Sequence, residues 1–273
     1  MRRRLPALVV NGLLALGAIA TATPLLWMLS ASFMPTGQAN ELPPRLLPSA
    51  PTLEHYRTLF SRLDLARYLG NSLMIAIGST LICVLLCAMA GYAFARLEFK
   101  GRDRVFRGLV MGMLIPAQVG MLPLFLLLKA MGLVNTVAGV MIPMMAPIFG
   151  IFMVRQYALG IPRDLLDAAR MDGASEWSVF RRIVVPLLRP IMATLAIFIF
   201  LSSWNDFLWP LIVLSDDARY TLPVALANLS GEHVQDTELM MAGAVLTVAP
   251  VMGVFLVLQR HYVRGLLVGG LKG

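Results

Sequence analysis

Six apolar runs constrain this chain more than any other feature: roughly Leu5–Leu29, Ser72–Ala95, Val105–Leu128, Val137–Val154, Ile191–Leu214 and Met241–Leu258. A helix that crosses a bilayer needs about 20 apolar residues at 1.5 Å rise each. In lipid only helices and closed barrels satisfy their own backbone, so runs of this length read as helices. Several carry proline (Pro116, Pro123, Pro143, Pro147, Pro250), which membrane helices tolerate. The chain as a whole lacks the polar surface of a soluble domain. Of 273 residues only 14% are charged and 58% are hydrophobic, against about 25% charged in soluble proteins; mean hydropathy is +0.76. The expected fold class is all-α: a polytopic membrane protein with six transmembrane helices in a single domain over residues 1–273.

The net charge of +8 does not point to nucleic acid, because the basic residues do not gather on one polar face. They sit between the runs and report topology instead. With a cytoplasmic N-terminus, Arg2, Arg3, Arg4, Arg96, Lys100, Arg102, Arg104, Arg107, Arg155, Arg163, Arg170, Arg181, Arg182, Arg189, Arg260, Arg264 and Lys272 all fall inside. Only Arg45, Arg57, Arg62, Arg67, Lys129 and Arg219 fall outside. Both termini are therefore expected in the cytoplasm. The first run also has some character of a cleavable signal peptide, with Ala18 and Ala20 as a small-x-small site, but it continues through "TPLLWML" to spanning length. Cys83 and Cys87 lie four apart inside one run without His or acidic partners, which reads as packing, not a metal site. The 18 methionines scatter and read as packing too.

One stretch does not fit lipid: "LLDAARMDGASEWSVFRRIVVP", residues 165 to 186. It falls in a cytoplasmic loop of about residues 156–190. Pro162 and Asp164 suit the start of a helix, and Leu165, Ala168 and Ala169 share a face. Gly173 ends that helix; Ser175 caps a second one carrying Trp177, Phe180 and Val184 on one side. Small alanines let another backbone approach, and Trp and Phe add contact area, so a partner-docking plug is one reading. A helix lying on the membrane, with Arg181 and Arg182 at lipid phosphates, is another. Packing against the protein's own loops is a third. A DNA-reading helix-turn-helix is disfavoured by the spans that hold the segment at the bilayer.

The stretch resembles the signature loop of membrane subunits in bacterial ABC importers: Glu-Ala-Ala, three residues, Gly, nine residues, Ile, one residue, Leu-Pro. Here stand Asp167-Ala168-Ala169, then Gly173, Ile183 and Val185-Pro186. All the spacings match, with Asp in place of Glu and Val in place of Leu. "IPRDLLDAARMDGAS", "SSWNDFLWPLIVL" (202 to 214) and "QRHYVRGLLVGGLKG" (259 to 273) resemble the carbohydrate branch, and within it the smaller membrane subunit of maltose-type importers.

The resemblance implies a type I ABC importer permease fold and a subunit forming half of a translocation pathway for a sugar or related solute. The 162–186 loop would be a coupling helix in a groove on a cytoplasmic ATPase subunit, with Asp167, Ala168, Ala169, Gly173, Ile183 and Pro186 as its ATPase-coupling residues. Implied partners are a second permease subunit, two copies of the ATPase, an extracytoplasmic solute-binding protein and membrane lipid, with no nucleic acid. The implied location is the bacterial cytoplasmic (inner) membrane. This chain would bind no cofactor of its own; ATP and Mg would belong to the ATPase. In agreement, no Gly-x-x-x-x-Gly-Lys-[Ser/Thr] occurs, and Lys100, Lys129 and Lys272 lie in no phosphate-cradling loop.

Other features keep two readings. The tail, with Gly265, Gly269, Gly270 and Gly273, is flexible in isolation. It is a basic cytoplasmic stub or, by resemblance, a segment threading toward the ATPase interface. Asn205 and Asp206 lie within the fifth run, where an ionised Asp costs about 2.5–3.5 kcal/mol at mid-bilayer. They read as pathway or inter-subunit residues, or as structural ones near the outer surface, flanked by Trp204 and Trp209. The segments at about 30 to 71 and 215 to 240 are polar enough to meet another protein; by resemblance, a solute-binding protein would dock there. An ion-gradient-driven secondary transporter is the alternative function, but it should show charged, broken helices in two related halves. A membrane enzyme is disfavoured, since His55, His233 and His261 fall outside the runs and no catalytic pair is evident.

Overall fold

The computed structural model describes residues 4–61, 64–232 and 236–270; Arg2, Arg3, Arg62, His233, Lys272 and Gly273 lie outside them. Among the described residues the regular structure is helical: α1 (Arg4–Ala31), α2 (Glu54–Ser61), α3 (Leu65–Arg96), α4 (Arg102–Gly112), α5 (Ala117–Ala130), α6 (Val137–Met141) and α7 (Ile148–Ala158). There follow α8 (Arg163–Met171), α9 (Glu176–Val179), α10 (Val185–Trp204), α11 (Leu208–Val213), α12 (Leu222–Glu232) and α13 (Thr237–Gly270). Four helical stretches are long and apolar enough to cross a membrane, or up to six if two bent helix pairs each count as one span.

The breaks correct the expected runs. Val105–Leu128 is not one helix: α4 and α5 meet at 105°. Pro116 has extended backbone ahead of α5 (ψ 133°), lacks an N–H and bars its predecessor from helical geometry. Val137–Val154 is likewise α6, a 3-10 turn over Ile142–Met144 and α7, bent by 41° where Pro143 and Pro147 stand. The fifth run breaks after Trp204 and resumes as α11. Conversely, Pro186 and Pro190 do not separate the loop from the fifth span. A π-helical turn over Phe180–Val184 joins α9 to α10, and the N–H of Val185 bonds back to Phe180. The wider turn takes up the proline's missing donor, so residues 176–204 form one helical rod. The glycine-rich tail continues as helix to Gly270, because extending an existing helix adds one bond per residue fixed.

The chain divides into two compact units. One comprises residues 1–67 and 225–252. Its α1 is apolar on all sides, and Leu13, Leu14, Leu16 and Ile19 stay exposed, as a lipid-facing helix requires. Its polar interior joins loop to helix. Buried Glu238 accepts from the Ala39 N–H at 2.7 Å, Thr237 donates to Asn40 at 2.9 Å, and buried His55 bonds the Met34 carbonyl at 2.8 Å.

The second unit, residues 68–224 and 253–273, holds the larger core. Cys83, Cys87, Tyr92, Val154, Leu166, Val179, Phe180, Val184, Leu188 and Leu195 bury together. Helices α3 and α7 approach closely at Gly91, where an added Cβ would sit 2.6 Å from Val154 Cγ1 and 2.9 Å from the Arg155 backbone N. Backbone cannot yield as a flexible side chain can. Gly91→Ala should therefore lower the thermal midpoint in detergent, from an overpacking cost of about 1–3 kcal/mol. Gly17→Ala, which meets nothing within 4 Å, should not. Equal midpoints for the two variants would contradict the close crossing.

Candidate functional site

The charged loop is built as expected up to its turn. Pro162 precedes the first turn of α8, Asp164 lies within that turn, and Arg170 lies in the last, signs that match the helix dipole. Gly173 takes φ +79°. Its N–H bonds Arg170 O and that of Ala174 bonds Ala169 O, both at 3.0 Å, a Schellman turn that requires left-handed backbone at glycine. Ser175 then caps α9, accepting from the Ser178 N–H at 3.3 Å.

The two faces of α8 differ from the expected grouping. Leu166 is 1% exposed and Ala169 packs partly buried against the core. Leu165, Asp167, Ala168 and Gly173 are exposed, and Met171 is 90% exposed. The outward surface is thus Leu165, Ala168 and Met171 around a small-residue centre, with Trp177 exposed nearby. Phe180, expected to add contact area beside Trp177, is instead buried in the core, its ring tilted against that of Tyr92 at 5.6 Å. Ile183 and Pro186 are half-buried, Ile183 in the π turn and Pro186 in the first turn of α10.

A polar network holds this knob on the core. The Arg170 guanidinium donates to Glu176 Oε1 at 2.7 Å and to Asp167 Oδ1 at 2.8 Å, clasping α8 to α9 across Gly173. Hydrogen bonding to Glu176, then to Asp167, pushes the Arg170 pKa further above its ordinary value. Tyr92 on α3 donates to Glu176 Oε2 at 3.2 Å. Arg96, the last residue of α3, donates to the carbonyls of Ala158 at 3.1 Å, Leu159 at 2.5 Å and Ile161, the chain end that leads into α8. Arg155 lies over the Phe106 ring at 4.0 Å and donates to Phe94 O. Tyr92, Arg96, Arg170 and Glu176 were not singled out as site residues from the sequence. Arg96 appeared there only as a topology charge, and the 170–176 pairing depends on the turn between them.

Asn205 and Asp206 occupy the break between α10 and α11. Asn205 is exposed and donates to Leu201 O at 2.9 Å. Half-buried Asp206 accepts from the Trp209 N–H at 3.4 Å, at the start of α11. They are neighbours of each other and not of the knob's clasp.

Apolar, partly broken helices thus carry a core-anchored knob of short helices. Residues 84–268 match the family described as binding-protein-dependent transport system inner membrane component, and the chain belongs to that family. It is 38% identical over 272 residues to the arabinooligosaccharides transport system permease protein of Halalkalibacterium halodurans, covering 97% of this chain and 98% of that one. It is 33% identical to the lactose transport system permease protein of Rhizobium radiobacter (98% and 97% covered) and 36% identical to the trehalose transport system permease protein of Mycobacterium tuberculosis (92% of each). Its fold matches a chain of a bacterial ABC transporter involved in import of the acidic polysaccharide alginate, with TM-score 0.83, 24% identity and 94% and 96% of the two chains covered. The chain is therefore a permease of an ABC importer and not a secondary transporter.

Arg96→Gln removes charge-assisted bonds to three carbonyls, each worth about 1.5–3 kcal/mol when made by a charged group. Amide hydrogen exchange across residues 163–175 should accelerate at least about ten-fold while the α1 amides are unchanged. Unaltered exchange in the knob would show that Arg96 does not hold it.

Proposed function

We propose that this chain is the membrane-spanning subunit of an ATP-driven importer for an oligosaccharide or related sugar, forming half of the pathway and coupling to a cytoplasmic ATPase through the 162–186 loop. The arabinooligosaccharide, lactose and trehalose systems of its relatives support the solute class. The observation that carries the coupling role is the knob itself. A short helix presents Ala168 and Met171 outward, while Leu166, Arg170 and Arg96 fix its other side to the core. A surface meant only for solvent does not need that anchoring, and a flexible one could not transmit force.

In this reading two copies of the ATPase grip the knobs of this subunit and of a second permease subunit. The lever is the continuous rod 176–204, clasped to α8 by Arg170, so a displacement of α8 is carried along the rod toward Asn205 and Asp206. That is rigid-body coupling with no hinge at Pro186. Exposed Asn205, at the end of the rod, is the pathway or inter-subunit group; Asp206 fixes the break by capping α11. ATP and Mg belong to the ATPase. The knob and both termini face the cytoplasm of a bacterium, consistent with the basic residues of the loops. A solute-binding protein delivers its cargo at the opposite face. One solved complex of this fold class contains an alginate pentasaccharide-bound periplasmic protein, with TM-score 0.64 to this chain.

Ala168→Trp enlarges an exposed position without entering the core, and Gly173→Pro cannot take φ +79° because proline fixes φ near −65°. Both variants should reach the membrane, yet bind the ATPase about 30-fold more weakly, the loss typical of a docking hot spot, and fail in ATP-dependent sugar uptake. Wild-type uptake by both variants sinks the coupling assignment.

A further inference from the structure

A second feature of the same end of the molecule is unaccounted for by ATPase docking. Between the α3–α4 turn and the first turn of α8 lies an open depression of about 560 Å³, lined by Lys100, Arg102, Arg104, Arg107 and Arg163 with Glu98 and Asp103. Asp103 pairs with Arg102 at 3.0 Å. No described carboxylate makes an ion pair with Lys100, Arg104, Arg107 or Arg163. Five cations against two carboxylates, one of which is taken up by Arg102, leave a net positive charge that suits an anion.

What kind of anion follows from the helix that carries them. Arg104, Arg107 and Met111 are exposed at i, i+3, i+7 on one face of α4. Leu114 and Ile115, just beyond, are 84% and 62% exposed. The helix runs antiparallel to α7, with Phe106 stacked on Phe152 and Gly112 beside Ile148. From Arg104 to Met111 is about 10 Å along the axis, the distance from headgroup level into the hydrocarbon of a leaflet about 15 Å deep. Cations leading directly into an apolar strip match a phosphate with an acyl chain attached. An acidic soluble partner would use only the first half.

We propose that this depression is an anionic phospholipid site: a phosphatidylglycerol-type headgroup among Lys100, Arg104, Arg107 and Arg163, with one acyl chain along Met111, Leu114 and Ile115. Because Arg163 belongs to α8, the bound lipid ties the base of the coupling helix to the α3–α4 turn. Lipid binding itself rests only on the membrane fold; its effect on transport rests on the coupling role proposed above.

The test uses the complete transporter in nanodiscs of phosphatidylcholine with one part in ten phosphatidylglycerol, with retained lipids counted by native mass spectrometry. Wild type should keep phosphatidylglycerol in preference to phosphatidylcholine. The double variant Arg104→Gln/Arg107→Gln should lose about thirty-fold of that preference, and Met111→Asp should lose it too, with ATPase stoichiometry and total phosphatidylcholine unchanged in both. Inorganic phosphate at ten millimolar should not displace the lipid. Equal retention of the two lipids by wild type, full retention by the double variant, displacement by free phosphate, or loss of the ATPase in place of the lipid would each overturn the assignment. If lipid retention behaves as stated while uptake into proteoliposomes is indifferent to phosphatidylglycerol, the site stands and its link to coupling falls.

Discussion

The structure depends on how one short helix is held from a single side. Helix α8 has nine residues, too few to persist alone in water. It exists because Leu166 is buried in the core of the second unit and because Arg96 and Arg170 occupy the backbone and carboxylate acceptors around it. This leaves Ala168 and Met171 outward on a rigid base. In the proposed coupling role, the apolar core beneath, around Tyr92, Val154, Phe180 and Leu188, supports the knob as well as the fold. Removing the base would leave a sequence that could still touch a partner but could not push on anything.

The prolines divide the work. At Pro116, Pro143 and Pro147 the chain bends, giving broken spans. At Pro186 it does not, because the π turn ahead absorbs the missing donor, and Pro190 stands within the continuous α10. The same residue type is thus a joint in the third and fourth spans and part of a rigid lever in the fifth. Asn205 and Asp206 end that lever where polar backbone is freed, which in a membrane must be satisfied locally. Asp206 does so at the Trp209 N–H.

Much of this was legible in the residues. Length and hydropathy alone imply spans, the Gly173 turn and Ser175 cap follow from backbone preference, and the signature spacing points to the family. Bend angles were not legible, since the same Pro signal serves a kink or a π-accommodated rod. Nor was the inward turn of Phe180, because a three-residue spacing from Trp177 places both on one side of an ideal helix, and packing against Tyr92 decides which is covered. The Arg170–Glu176 clasp and the Arg96 clamp join residues brought near only by turns or by separate helices. No periodicity encodes them.

The central claim is that an ATP-hydrolysing subunit grips the knob on the cytoplasmic side. A photo-reactive amino acid placed at Met171 in the native membrane tests this most directly, followed by identification of the adduct. The account predicts a cross-link to the cytoplasmic ATPase whose yield changes when ATP is trapped on the complex. A cross-link to an extracytoplasmic protein, or to lipid alone in every nucleotide state, would contradict it.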